Sequence, residues 1–235
     1  MSSSEEKIIQ AFKQKDWNEI KASDSWQIFK IMAEFVQGFE KLASIGPCVS
    51  IFGSARTKPD NKYYKLAEDI AFLLTQHGYG VITGGGPGIM EAANMGAKKG
   101  HGKSVGINID LPFEQAANLF IDSDKLITFK HFFVRKVMFQ KYAQGFIVLP
   151  GGFGTFDELF EALTLIQTEK IGRFPIVLVG SDYWKGLLEW IEKYMMEESN
   201  ISKEDLDLYK LVDTADEAVD HINTFYSKYL LSPNF

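Results

Sequence analysis

Two hydrophobic periodicities alternate along this chain. From Pro47 onward there are short apolar runs rich in Val and Ile: Cys48–Gly53, Tyr79–Thr83, Ser104–Ile109, Lys125–Phe129, Gly145–Pro150 and Pro175–Gly180. Runs of this length predict strands buried on both faces. Between and after them, residues 63–78, 88–100, 132–144, 155–172, 182–198 and 216–230 carry apolar side chains at three- and four-residue steps. That spacing predicts amphipathic helices. Before Pro47 the same spacing joins Trp26, Phe29, Ile31, Met32, Phe35, Val36, Phe39 and Leu42. A helix is expected there, capped by Asp24 or Ser25 and stopped by Gly46-Pro47. Its apolar face has two readings: it lies on the domain surface, or it pairs with a second copy.

Alternating strand and helix predicts an α/β fold, Rossmann-like and doubly wound. The sheet is mainly parallel with helices on both faces, and a helical extension precedes it. The expected division is residues 1–46 for the extension and 47–235 for the nucleotide-binding domain. In such sheets, ligands bind beyond the carboxyl ends of the strands. The strand-to-helix turns are therefore where chemistry is expected.

Composition narrows the partners. The chain has 235 residues, 46% of them hydrophobic, enough for a sizeable core. A net charge of −6 argues against a broad basic face for nucleic acid. Cys48 is the sole cysteine, so no intrachain disulfide forms. The polar start MSSSEEKIIQ lacks the apolar core of a signal peptide, and no apolar stretch is long enough to span a membrane. A cytoplasmic location is expected. His77, His101, His131 and His221 have no metal-ligand spacing, so no metal is expected.

Three expected strand ends carry unusual residues: Phe52–Arg56 (FGSAR), Thr83–Gly88 (TGGGPG) and Pro150–Thr155 (PGGFGT). Glycines let backbone N–H groups approach a ligand. A helix N-terminus just after them adds unpaired N–H groups and partial positive charge, which suits phosphate. Gly53, Ser54, Gly84, Gly85, Gly86, Gly88, Gly151, Gly152, Gly154 and Thr155 are thus candidate ligand contacts. For Met90, just inside the second helix, packing on a base and packing on the sheet both stand. The dinucleotide pattern G-x-G-x-x-G is absent from the first turn, and Asp110 alone is weak support for NAD. Gly100–Ser104 (GHGKS) precedes a strand, the wrong order for a P-loop. There is no G-x-S-x-G for a serine triad.

Pro150–Glu158, PGGFGTFDE, resembles the PGGxGTxxE signature of the LOG family, the cytokinin riboside 5′-monophosphate phosphoribohydrolases long labelled lysine decarboxylases. FFVRK, Phe132–Lys136, resembles the family's Arg-Lys motif, and TGGGPGIMEAAN its first glycine-rich loop. The long helix before Pro47 and INIDLPFEQAAN resemble its larger subgroup. The resemblance spans about residues 47–195. It implies hydrolysis of a nucleoside 5′-monophosphate to free base and ribose 5-phosphate, with no cofactor, in a homodimer or larger homo-oligomer. It implies catalytic roles for Glu158 and Arg135 and nucleotide contacts for Lys136, Gly152, Gly154, Thr155 and Thr164. Glu114 falls near the family's base-side acidic residue.

These residue types suit the reaction. Breaking an N-glycosidic bond builds positive charge on the ribose, as in glycoside hydrolysis. A carboxylate near C1′ stabilises that charge and can deprotonate the attacking water. Glu158 follows the PGGFGT loop by one helical turn, so a phosphate held on the loop brings the ribose within its reach. Arg135 is a fixed cation with a planar fork. It can hold phosphate or ribose oxygens, or keep Glu158 ionised. The donor to the leaving base is not identifiable from sequence. The competing readings are a nucleotide-binding protein without catalysis and a pyridoxal-phosphate decarboxylase. The latter needs a Schiff-base lysine with an acidic partner for the ring nitrogen, and no residue marks that partner.

Overall fold

All six apolar runs form strands in a computed structural model, which describes residues 17–111, 116–231 and 234–235. They are β1 (Cys48–Phe52), β2 (Gly80–Thr83), β3 (Ser104–Ile109), β4 (Leu126–Phe129), β5 (Ala143–Val148) and β6 (Ile176–Val179). A seventh, β7 (Lys210–Val212), completes one sheet in the order β4-β3-β2-β1-β5-β6-β7. Every neighbouring pair is parallel. The sheet is that of a Rossmann-like α/β fold. β7 has no apolar run behind it, because it is three residues long and buries just Val212.

After α1 (Trp17–Leu42), the crossover helices are α2 (Lys62–Gln76), α3 (Ile89–Lys99), α4 (Phe132–Tyr142), α5 (Phe153–Gln167) and α6 (Ser181–Trp190), and α7 (Ala215–Tyr226) follows the last strand. The period-2 alternation of buried strands sorts side chains between the two faces. Val49, Ile51, Ile147 and Leu149 point to one face and pack with Ile70, Leu74, Ala93 and Ile222 of α2, α3 and α7. Phe52 and Phe146 point to the other. There Phe52 meets Phe139 of α4 edge-on at 4.9 Å, and Phe146 lies 5.1 Å from Phe174. Each fully buried ring of this kind contributes roughly 2 kcal/mol through lost apolar exposure. α2 and α3 approach closely because Gly96 has no side chain: a Cβ there would sit 2.1 Å from the Glu68 carbonyl oxygen.

α1, described over Trp17–Leu42, runs through Asp24 and Ser25, so neither caps it as expected. A cap residue favours a helix start by only about 1 kcal/mol, and the preceding WNEIKAS holds no helix breaker. The expected stop does occur: the helix ends at Leu42, and Gly46 takes a left-handed φ of 71° before Pro47. Residues 17–37 of α1 lie in one compact unit and residues 38–235 form the other. The second unit begins inside the helix because Leu42 and Ile45 are core residues and Lys41 donates to the Leu126 carbonyl at 2.5 Å.

β1 sits at the topological switch point. From it the chain builds β2, β3 and β4 to one side, then returns to place β5 on the other. The connections after β1 and β5 leave toward opposite sides there, and the ligand rule places a site at the carboxyl ends of these strands.

Candidate active site

Three turns meet at the carboxyl ends of β1, β2 and β5, and hydrogen bonds tie them together. The Ser54 N–H donates to the Pro150 carbonyl at 3.0 Å, and the Ser54 carbonyl accepts from Ile89 N–H at 3.1 Å. The Ser54 hydroxyl accepts from Arg56 N–H at 3.1 Å. Gly53 and Gly88 make this closeness possible. A Cβ on Gly53 would press into Ile89, and one on Gly88 would sit 2.4 Å from the Ser54 oxygen. These two glycines thus join the turns to each other.

The TGGGPG loop is held by a buried polar network. Thr83 Oγ1 accepts from Gly85 N–H and donates to Asn94 Oδ1 at 2.6 Å. Asn94 Nδ2 donates to Ser104 Oγ at 2.9 Å. Asn118 Nδ2 lies within bonding distance of Asn94 Oδ1 and of the Gly85 and Gly86 carbonyls. Gly85, with φ of 76°, adopts the left-handed backbone this turn requires. Met90 lies on the loop: a Cβ on Gly84 or on Gly86 would sit 2.8 Å from its thioether end.

The PGGFGT loop is different. Among the described residues, nothing accepts from the N–H groups of Gly151, Gly152, Phe153 or Gly154. These four consecutive donors lead into α5, and nothing lies within 4 Å of where a Cβ on Gly152 or Gly154 would be. Their aligned dipoles make an anion seat. Gly151 is covered by Thr155, whose Oγ1 is 2.0 Å from its would-be Cβ.

Glu158 sits in the second turn of α5 and is only 4% exposed, yet its Oε2 has no hydrogen-bond partner. Burial pushes its pKa from 4.5 to about 7. The Arg135 charge opposes that rise, Glu161 and Asp157 add to it, and Lys136 opposes it. Arg135 and Lys136 both come from α4. The Arg135 guanidinium lies against Gly84, 2.8 Å from where a Cβ would be, and over the Phe139 ring at 5.2 Å. Burial lowers its pKa, against the pull of Glu158 and Asp157. Its Nε is buried without a partner. Lys136 pairs with Asp157 at 2.8 Å and Glu161 at 3.4 Å. A buried carboxyl, a half-buried guanidinium and four free amides thus lie on neighbouring segments at the carboxyl ends of the strands.

The family model described as possible lysine decarboxylase matches residues 90–222. The chain belongs to this family. A cytokinin riboside 5′-monophosphate phosphoribohydrolase of Mycobacterium tuberculosis is 30% identical over 161 residues, which are 66% of this chain and 82% of the relative. One of Arabidopsis thaliana is 31% identical over 150 residues, 62% of this chain and 66% of the relative. This kinship makes the protein a LOG-family hydrolase. Among solved structures, a molybdenum cofactor binding protein from Rippkaea orientalis aligns with a TM-score of 0.57 at 21% identity, covering 77% of this chain and 97% of that one. DNA processing protein A from Streptococcus pneumoniae aligns at 0.53 and 17%, covering 78% and 63%. These two likenesses concern the fold alone.

For this LOG-family chain, the structure brings Glu158, Arg135, Lys136, Met90, Gly84 and the PGGFGT amides together. It does not bring Thr164 to them. That residue is six positions beyond Glu158 on α5, exposed, with its hydroxyl donating to the Phe160 carbonyl at 2.7 Å. Six residues are about 9 Å along a helix and about 120° away around it. Glu114 lies outside the described residues. Sequence reasoning missed Asn94 and Asn118. Their one signal is an Asn on the buried side of an otherwise apolar helical pattern, and another Asn just before an apolar pair. It also missed Tyr183, whose hydroxyl donates to the Gly151 carbonyl at 2.6 Å. Among the described residues no cluster of His, Cys, Asp and Glu could hold a metal ion, and no helix is long and apolar enough to cross a membrane.

Proposed function

We infer that this protein hydrolyses the N-glycosidic bond of a nucleoside 5′-monophosphate, AMP or an N6-substituted AMP, to free base and ribose 5-phosphate. The single observation behind this reading is a buried carboxyl with an unpartnered oxygen, Glu158 Oε2, one helical turn from four free amides. The 5′-phosphate sits on Gly151–Gly154, and the ribose then faces Glu158. As the bond from C1′ to the base nitrogen breaks, its electron pair leaves with the base and positive charge spreads over the ring. The ionised Glu158 stabilises that charge and accepts a proton from the water that bonds to C1′. A pKa of about 7 suits a base that works near neutral pH. Arg135, fixed by Gly84 and Phe139, supplies a permanent cation beside the anionic substrate.

The decarboxylase label of the matching family model fits less well. A Schiff-base lysine must lose its proton. Burial draws the Lys136 pKa down, but the hydrogen bond to Asp157 and the nearby carboxylates outweigh burial and raise it. Lys136 is held as an ammonium ion and anchors the acidic side of α5.

The test is incubation with AMP and with N6-isopentenyl-AMP, following free base and ribose 5-phosphate by chromatography, with Glu158→Gln as control. Base release that the substitution abolishes is expected. No release from either substrate, or from GMP and CMP, would leave a nucleotide-binding protein without the catalytic role assigned to Glu158. In this reading the enzyme acts in the cytoplasm as a homodimer or larger assembly. Trp26, Phe29, Met32 and Val36 lie exposed along α1, an apolar stripe suited to a second copy. A monomer mass by light scattering, with full activity, refutes the assembly.

A further inference from the structure

The four free amides can meet one anion only if the carbonyls between them turn away. In a trans peptide the C=O and the following N–H point in opposite directions, and no described peptide is cis. Three successive carbonyls of the PGGFGT loop are held by the protein. Pro150 O accepts from Ser54 N–H at 3.0 Å, and Gly152 O accepts from the N–H groups of Thr155 and Phe156 at 2.9 and 3.2 Å. The one between them, Gly151 O, is held by a side chain alone, the Tyr183 hydroxyl at 2.6 Å. Glycines flank this peptide on both sides, so its plane rotates more freely than any other in the loop.

We propose that Tyr183 is a positioning residue for the substrate phosphate: its hydroxyl fixes the Gly151–Gly152 peptide so that Gly152 N–H faces the anion with its three neighbours. The proposal rests on the loop being the phosphate seat. Tyr183 touches the carbonyl side of the peptide, opposite the N–H, so it acts through the loop.

Its own placement is firm. Gly180, with φ of 102°, starts α6, and a Cβ there would lie 2.6 Å from the Tyr63 ring. Trp184, fully buried, donates from Nε1 to the Val179 carbonyl at 3.1 Å. The Tyr183 ring stands edge-on to Trp184 at 4.9 Å, and Trp184 lies 5.4 Å from Phe156 of α5. The hydroxyl is thus presented from a helix anchored in the core to a loop with little restraint of its own.

Tyr183→Phe keeps the ring and its packing and removes only the hydroxyl. Loss of one orienting hydrogen bond predicts about a 3- to 10-fold rise in KM for AMP and in the inhibition constants of ribose 5-phosphate and inorganic phosphate. Turnover should change less than about twofold, because Glu158 and Arg135 are positioned by other contacts. Inhibition by adenosine, which lacks the phosphate, should stay the same. In 15N-labelled protein, phosphate should shift the Gly152 amide resonance in the wild type and shift it less in the variant. Equal losses for AMP and adenosine, or no loss for either, overturn the proposal. A wild-type protein that binds ribose 5-phosphate and releases no base would sink the hydrolase reading and leave the role of Tyr183 standing. One that binds neither AMP nor ribose 5-phosphate sinks both.

Discussion

Replacing Glu158 with glutamine should stabilise the protein at alkaline pH while it removes activity. The carboxyl is 4% exposed, and its pKa rises from 4.5 to about 7. Between those values the folded state keeps a proton that the unfolded chain has released. Stability therefore falls as pH rises through this window. Above pH 7 the full cost of ionising the buried group applies. A rise of this size corresponds to about 3 kcal/mol at pH 8 and under about 1 kcal/mol at pH 5. Glutamine does not titrate, so the variant escapes that cost, and any fixed cost of the amide is equal at both pH values. The measurement is urea unfolding of both proteins at pH 5 and pH 8. The variant's advantage should grow by about 2 kcal/mol between them, or about 4–8 °C in Tm for a chain of this size. A gap that does not change with pH would refute the claim that Glu158 is buried as a strained carboxylate. It would also remove the physical basis for its role as a near-neutral base.

Two other outcomes follow from the same geometry. The acid limb of kcat/KM for AMP should fall near pH 7, and Glu161→Gln should move it to lower pH, because the Glu161 charge helps raise the Glu158 pKa; a pH profile that is the same in both proteins would contradict this. Asn94→Ala should cost about 2–4 kcal/mol in chemical denaturation by removing the side-chain partner that the buried Thr83 and Ser104 hydroxyls share. A loss below about 0.5 kcal/mol would show that the network does not hold the TGGGPG loop.

The strands were legible because nearly all their residues are buried, on both faces in every strand but the edge strand β4, and burial of that kind leaves an apolar run. β7 was not, because only Val212 of its three residues is buried. The α1 start was misread for a similar reason: Asp24 and Ser25 look like caps, but cap preference is weak beside continued helix. In the site, the glycine turns and Glu158 were legible because glycines before a helix have few other uses. The separate tasks of those glycines were not. Gly53 and Gly88 face other turns, while Gly152 and Gly154 face open space. Spacing along the chain cannot distinguish the two, since the difference lies in what a distant segment brings alongside.

The sequence by itself determined the alternation of strand and helix, and with it a parallel sheet whose ligand turns lie at one edge. It also determined which residues can carry charge there. These follow from periodicity and residue type, which are local properties. Only the tertiary structure decided that the α4 residue Arg135 meets Gly84, and that Glu158 is buried deeply enough to titrate near 7. Only it brought Tyr183, 32 positions away, to the Gly151 carbonyl. Desolvation and hydrogen-bond direction depend on what surrounds a group in space, and packing alone sets those surroundings.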